Sequence, residues 1–326
     1  MCKIFKVCLL ILVINVILLN GGIAADLGII TGGEKGTYYQ FGLNLKELMA
    51  TKGITLNVHS SNGSIENINA VYKRPGIQMG IVQSDVLAFV GKLQSDAELK
   101  MIAKKIKMVF PLYNEEIHLL GRSGIGDFDG LTGKRVAVGE EGSGTYLTAR
   151  LLFELTEIVP QEMLTLGREE ALSQLKAGKI DAMFYVAGFP VKLFADDVTE
   201  KDGLELIPIT HKSILEFYPQ GEIPQDTYRW QKQTVKTAAV KAVLVSYDYK
   251  STNCDAVGRF AKLVADNLPW LIQHGHSKWK NVDFNYSLKG WEQYSCVRKY
   301  LGKPAASTSK RSPVENPVWR VIQESF

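Results

Sequence analysis

Apolar positions along this chain follow two periods in alternation. Short runs read as buried strands: Leu27-Gly28-Ile29-Ile30, the alternating Ile54–Val58, Ile77–Val82, Val136-Ala137-Val138, Ile180–Tyr185 and Leu204–Ile209. Between them the spacing becomes helical. Phe41, Leu45, Leu48 and Met49 fall at i, i+4, i+7 and i+8, and Leu147, Leu151, Leu152 and Leu155 at i, i+4, i+5 and i+8. Further helices are expected around Ile65–Tyr72, across Val86, Phe89 and Val90, across Glu169–Leu175, and around Phe260, Leu263 and Val264. Strands alternating with helices imply crossovers and a largely parallel sheet. Two long apolar stretches break the rhythm, Met108–Gly121 and Val235–Val245. Each reads as a strand crossing between two lobes, which makes the first lobe discontinuous. The expected division is residues 26–115 plus 246–326 for lobe one and 116–245 for lobe two, after an N-terminal segment 1–25.

The polar punctuation is as informative as the apolar runs. Gly33-Glu34-Lys35-Gly36-Thr37-Tyr38-Tyr39 and Gly139-Glu140-Glu141-Gly142-Ser143-Gly144-Thr145-Tyr146 each follow a strand and open a helix. A glycine turn at a helix start presents unpaired N–H groups backed by the positive end of the helix dipole, a setting suited to anions. Thr37, Ser143 and Thr145 can cap those helices or turn their hydroxyls toward a ligand. A third junction runs through Ser60, Ser61, Asn62, Gly63, Ser64 and Asn67, and others follow at Gln83-Ser84-Asp85 and Val186–Pro190, which includes Gly188. In such sheets ligands bind beyond the carboxyl ends of the strands. The junctions are therefore expected to converge on a cleft between the lobes.

The chain begins differently. Lys3 and Lys6 precede an apolar run from Val7 to Leu19, followed by Gly21-Gly22-Ile23-Ala24-Ala25. That order is the layout of a secretory signal peptide cut near Ala24 or Ala25, and the run is short for a membrane span. An exported, periplasmic protein is expected. Loss of Lys3 and Lys6 lowers the formal net charge from +4 to +2, a balance that argues against nucleic acid. A hydrophobic fraction of 46% with 22% charged residues is ordinary for a folded domain. Cys2 and Cys8 leave with the leader, so Cys254 and Cys296 remain. In an oxidising compartment they either pair, closing a loop of about 43 residues worth on the order of 4 kcal/mol, or stay free if too far apart.

In combination and order, Gly36-Thr37-Tyr38-Tyr39, Gly63-Ser64-Ile65-Glu66-Asn67-Ile68, Met79–Asp85 and Gly142-Ser143-Gly144-Thr145 resemble the TAXI-family solute receptors of TRAP transporters. The resemblance covers about residues 26–250. It implies an α/β, two-lobed periplasmic-binding-protein fold of the second type, with mostly parallel sheets and two hinge strands. It implies capture of a small organic acid or amino acid, such as glutamate, glutamine or 2-oxoglutarate, by a monomer that delivers it to the membrane permease subunits of a TRAP transporter. Two departures stand out. Glu140 and Glu141 occupy a loop that carries proline or small residues in the family, and the C-terminal region lacks the family's His-Pro-Gly-Ala phrase.

Other chemistries fit less well. Ser143 lacks both outer glycines of a nucleophile elbow, since Glu141 and Thr145 stand there. Neither glycine phrase closes with Gly-Lys-Ser/Thr, so no phosphate loop is present. His274-Gly275-His276 offers only part of a metal site and reads as a solvated loop. Neither an enzyme, a metal nor a cofactor is expected. Tyr38, Tyr39, Tyr146 and Tyr185 either stack on a ligand or belong to the core. Asn67 and Gln83 can donate to a carboxylate and accept from an amine, and Asp85 is either a helix cap or a contact. One reading of Glu140 and Glu141 has both in solvent; the other has one facing the cleft and pairing with a ligand ammonium, which favours an amino acid. An exported receptor serving a membrane sensor or a host-facing partner is the alternative to a permease-coupled one.

Overall fold

The computed structural model describes residues 26–85, 90, 96–288 and 291–302. The leader, Val86, Phe89 and the C-terminal stretch from Ala305 to Asn316 lie outside the described residues. The elements are β1 (Leu27–Ile30), α1 (Thr37–Ala50), β2 (Leu56–His59), α2 (Ser64–Lys73), β3 (Met79–Gln83), α3 (Ala97–Lys104) and β4 (Ile106–Arg122). Next come β5 (Arg135–Ala137), α4 (Gly144–Glu154), β6 (Glu162–Leu164), α5 (Arg168–Lys176), β7 (Ala182–Ala187), α6 (Lys192–Asp197) and β8 (Leu204–Leu206). The remainder are α7 (Lys212–Leu215), β9 (Gln220–Ile223), β10 (Val235–Tyr247), α8 (Ser251–Asp266), α9 (Leu268–His274) and α10 (Ser295–Tyr300).

The strands lie in the order β2-β1-β3-β10-β4-β7-β5-β6, with β8 on β4 and β9 on β10. β2-β1-β3 are parallel, as are β7-β5-β6. The long strands β4 and β10 join these two halves and pair antiparallel with all their neighbours. The sheet is thus parallel within each lobe and antiparallel at the hinge. β4 pairs with β10 as far as Glu116 and with β7 from Glu116 onward, so the chain changes lobe at that residue.

Each half is covered on both faces, which explains why the strand patterns are continuous runs rather than alternations. Every residue of β1, β3 and β7 is buried. On α1, Phe41, Leu45, Leu48 and Met49 reach the core together with Val257, Phe260, Trp279 and Tyr294. The opposite face holds Ile68, Val71, Val82, Val90, Leu99 and Ile102. Lobe two has its own pair of clusters, one around Phe128, Leu152 and Phe184 and one around Leu172, Met183 and Phe194. The described residues after 250, weak in resemblance, are part of this core: Trp279 stacks on Phe41 with centroids 4.2 Å apart.

A disulfide joins Cys254 on α8 to Cys296 on α10, with Cα atoms 5.7 Å apart, inside the span such bridges occupy. Of the histidine phrase, His274 is exposed at the end of α9, while His276 departs from the solvated reading. His276 is half-buried, and its ring nitrogens meet Lys278 N and Pro190 O, each at 3.2 Å.

Candidate ligand cleft between the lobes

Four helices begin around one cavity. The wall residues Gly36 and Thr37 open α1, Gly63 and Ser64 open α2, and Ser143, Gly144 and Thr145 open α4, while Arg168 is the first residue of α5. N–H groups of a first helical turn have no partner within their helix. α1 and α2 also carry no side-chain cap. α4 is capped by Ser143, whose Oγ accepts from Tyr146 N at 3.1 Å and leaves its own hydrogen free to donate.

Two glycines make this convergence possible. Gly63 has φ of 129°, in the left-handed region that a side chain disfavours. A Cβ on Gly144 would lie 1.6 Å from Gln83 Oε1, so only glycine admits that amide against the start of α4. Gln83 is 2% exposed, and its Oε1 and Nε2 have no hydrogen-bond partner among the described residues. An orphaned buried amide is costly in an empty site and useful in a filled one.

The rest of the wall comes from Tyr38, Glu115, Glu140, Leu166, Ala171 and the strand Phe184–Ala187. Tyr38 Oη donates to Glu115 at 2.6 Å, deep in the site. Burial pushes the Glu115 carboxyl well above the ordinary carboxylate range, opposed by the Tyr38 hydroxyl and reinforced by Asp85 and Glu116. The guanidinium of Arg168 lies over Tyr185, 5.9 Å from its ring centroid, and reaches Ser61 O at 3.5 Å. It is the cation of the wall, permanently charged. Thr145 Oγ1 accepts from Val186 N at 3.1 Å, which aims its hydrogen away from the strand.

Of the residues singled out from sequence, Gly36, Thr37, Tyr38, Gly63, Ser64, Gln83, Glu140, Ser143, Gly144, Thr145 and Tyr185 line this cavity. Others stand behind it. Asn67 is fully buried with its amide consumed, donating to Thr31 O and Ile81 O and accepting from Ser61. The single hydroxyl hydrogen of Ser61 is shared between Asn67 Oδ1 and Thr31 O, which fixes the turn rather than a ligand. Ser84 Oγ accepts from Lys241 N. Asp85 accepts from Thr148 at 2.8 Å and Tyr218 at 3.3 Å, both in lobe two. The Gly188 carbonyl accepts from Thr37 across the cleft. Tyr39 is half-buried on α1, off the wall. Glu140 is exposed at the rim, where it accepts from Asn62 Nδ2 at 3.3 Å, and Glu141 is exposed off the wall. Arg168 and Glu115 were not anticipated.

A model of the NMT1-like family matches residues 29–290. The chain belongs to the NMT1-like family. Solved structures share the fold of this NMT1-like chain at low identity. The periplasmic binding protein BugD is 10% identical, with 92% of this chain and 97% of that one covered and a TM-score of 0.56. MatC from Rhodopseudomonas palustris with bound malate is 16% identical, covering 92% and 95%, with a TM-score of 0.51. A periplasmic transporter is 16% identical over 76% and 84%, with a TM-score of 0.52. The NMT1-like chain therefore has the two-lobed fold of periplasmic binding proteins. The family match is broader than the TAXI resemblance.

Proposed function

We propose that this protein is an extracytoplasmic solute-binding protein that captures a small carboxylate-bearing solute and delivers it to a TRAP-transporter permease. The supporting observation is the convergence of the α1, α2 and α4 N-termini, Arg168 and the unpartnered Gln83 amide on one interlobe cavity. Helix ends and a guanidinium favour an anion, and the apolar strand Phe184–Ala187 excludes water behind it. The solute is an amino acid such as glutamate or glutamine, or a dicarboxylate such as 2-oxoglutarate; MatC, of the same fold, holds malate. Binding without catalysis fits Ser143, whose Oγ is committed to the α4 cap. Native mass spectrometry of the purified protein, followed by denaturation and identification of released molecules, tests this reading. Release of only compounds that carry no carboxylate would sink it.

Thr145 carries a direct test. Its hydroxyl accepts from Val186 N and has one hydrogen left to donate to a carboxylate. A hydrogen bond to a charged acceptor contributes about 1.5–3 kcal/mol. Thr145→Val is expected to weaken binding about ten- to a hundredfold at 1.4 kcal/mol per tenfold. Wild-type affinity by calorimetry would remove the α4 end from the site.

The lobes close over the solute, with residues 26–115 and the segment after 246 moving against 116–245. Direct contacts across the cleft include Thr37 with Gly188, Asn62 with Glu140 and Arg168 with Ser61. Asp85 adds buried bonds to Thr148 and Tyr218, and ligand bridging both walls supplies the further bias toward closure. Small-angle scattering should show a smaller radius of gyration with solute than after its removal. Equal radii, with emptiness verified by mass spectrometry, would count against hinge closure.

A further inference from the structure

Glu115 is a carboxyl group on the cleft wall, 1% exposed, with one hydrogen bond among the described residues, that from Tyr38. The buried cation that acts on it is already taken. Lys278 Nζ lies 2.5 and 2.6 Å from the two oxygens of Glu116, the next residue of β4. Successive strand residues face opposite ways, so Glu116 meets Lys278 while Glu115 meets the cleft. The other carboxylate on the wall, Glu140, is exposed at the rim and engaged with Asn62. The cavity is therefore polarised. Its helix ends and Arg168 favour negative charge, and Glu115 is a deep carboxyl whose one cation among the described residues is Lys278, which Glu116 holds.

We propose that Glu115 is the counter-ion for a ligand ammonium group, so that the solute class is the α-amino acids rather than the 2-oxo acids or dicarboxylates. The proposal rests on the carboxylate-binding reading above and narrows it. An α-amino acid offers an anion to the helix ends and a cation to Glu115 in one small molecule. A 2-oxo acid places a carbonyl oxygen where the ammonium would be, and that oxygen can take only a neutral hydrogen bond from the protonated carboxyl, weaker than the charge-assisted bond an ammonium makes to the carboxylate. Sites built around a buried polar group reject analogues lacking its complement far more strongly than apolar pockets reject a missing methylene. An ammonium at a desolvated carboxylate also gains more than one at an exposed rim.

Proton release accompanies this selection. Among the described residues, Tyr38, Tyr113, Tyr185 and Asp85, and Glu116 and Lys278 from the other side of β4, are the titratable groups that act on Glu115. Burial first, then Asp85 and Glu116, holds the empty carboxyl protonated well above the ordinary range, against Tyr38 and Lys278. An arriving ammonium favours the carboxylate, and the displaced proton passes to the buffer.

Calorimetry of wild type and Glu115→Gln with matched pairs tests the proposal, beginning with L-glutamate against 2-oxoglutarate and extending to other α-amino acids and their 2-oxo acids. Wild type is expected to prefer the amino member on the order of tenfold or more, and Glu115→Gln to lose at least that preference while holding the 2-oxo acid. Heats measured in phosphate and in Tris should differ for wild type in the sense of proton release on binding the amino acid. Glutamine mimics the protonated acid, so the ligand-free variant should melt no lower than wild type. Preference of wild type for the 2-oxo acid or equal weakening of both members in the variant would overturn the ammonium assignment and leave the carboxylate reading standing. Binding of no member of any pair would overturn both.

Discussion

Lys278→Met is expected to lower the stability of the protein by about 3–5 kcal/mol, the usual consequence of stranding one partner of a buried ion pair. Lys278 and Glu116 have side chains only 4% and 6% exposed. Burial lowers the affinity of Lys278 for its proton and raises that of Glu116, while the pairing works against both shifts. The pair also ties three parts of the chain together. Lys278 comes from the 3-10 turn Ser277–Asn281, Glu116 from the point where β4 changes lobe, and the ammonium lies 3.7 Å from the Phe189 ring of lobe two. Losing the ammonium leaves a carboxylate among apolar neighbours, which must take up a proton or draw in water. The double variant Lys278→Met with Glu116→Leu should recover most of the loss, because an apolar pair of similar volume is often as stable as the ions it replaces. Urea denaturation of the three proteins checks both statements. A single variant within 1 kcal/mol of wild type would mean that water already reaches the pair.

The same pair shows where sequence reading stops. Strands, helices and the two crossings were legible because both lobes bury their strands on two faces, so apolar runs stand out against glycine turns. Gln83 and Thr145 were legible for a related reason: each sits where a strand or glycine turn meets a helix start. Glu115 and Glu116 were not, since two adjacent acids inside the apolar run Met108–Gly121 look like an interruption. Only the partners tell them apart. Lys278, 162 positions away from Glu116, claims one, and the cleft claims the other. Arg168 stands beside Glu169 and Glu170 at the start of α5, and nothing local says that α5 starts over Tyr185. Asn67 misled in the opposite sense. An amide beside a polar turn serves a ligand or its own backbone equally well, and here Thr31, Ile81 and Ser61 use all of it.

Removing the disulfide should be nearly as costly as breaking the ion pair, and by a different route. Cys254 and Cys296 span a sequence separation of 42 residues, for which the chain-entropy model gives about 4 kcal/mol, acting on the unfolded ensemble. The bridged helices α8 and α10 also pack closely, since a Cβ on Gly258 would lie 2.3 Å from the Tyr300 ring. That contact survives in Cys254→Ala/Cys296→Ala, so the native fold should form with its cleft unchanged and its stability reduced by about 2–4 kcal/mol. Alanine is the better replacement because Cys296 is only 6% exposed and a serine hydroxyl there would need a partner. The bridge encloses the turn that carries Lys278 and Trp279, so the loss should appear first as opening of the segment from α8 to α10. Hydrogen exchange should show faster exchange at Lys278 and Trp279 than in α4, which lies in the other lobe. Reducing the wild-type protein should reproduce the result for the double variant. If both forms match the oxidised wild type in urea midpoint, the unfolded chain is already held compact across this loop, and the bridge adds nothing to it.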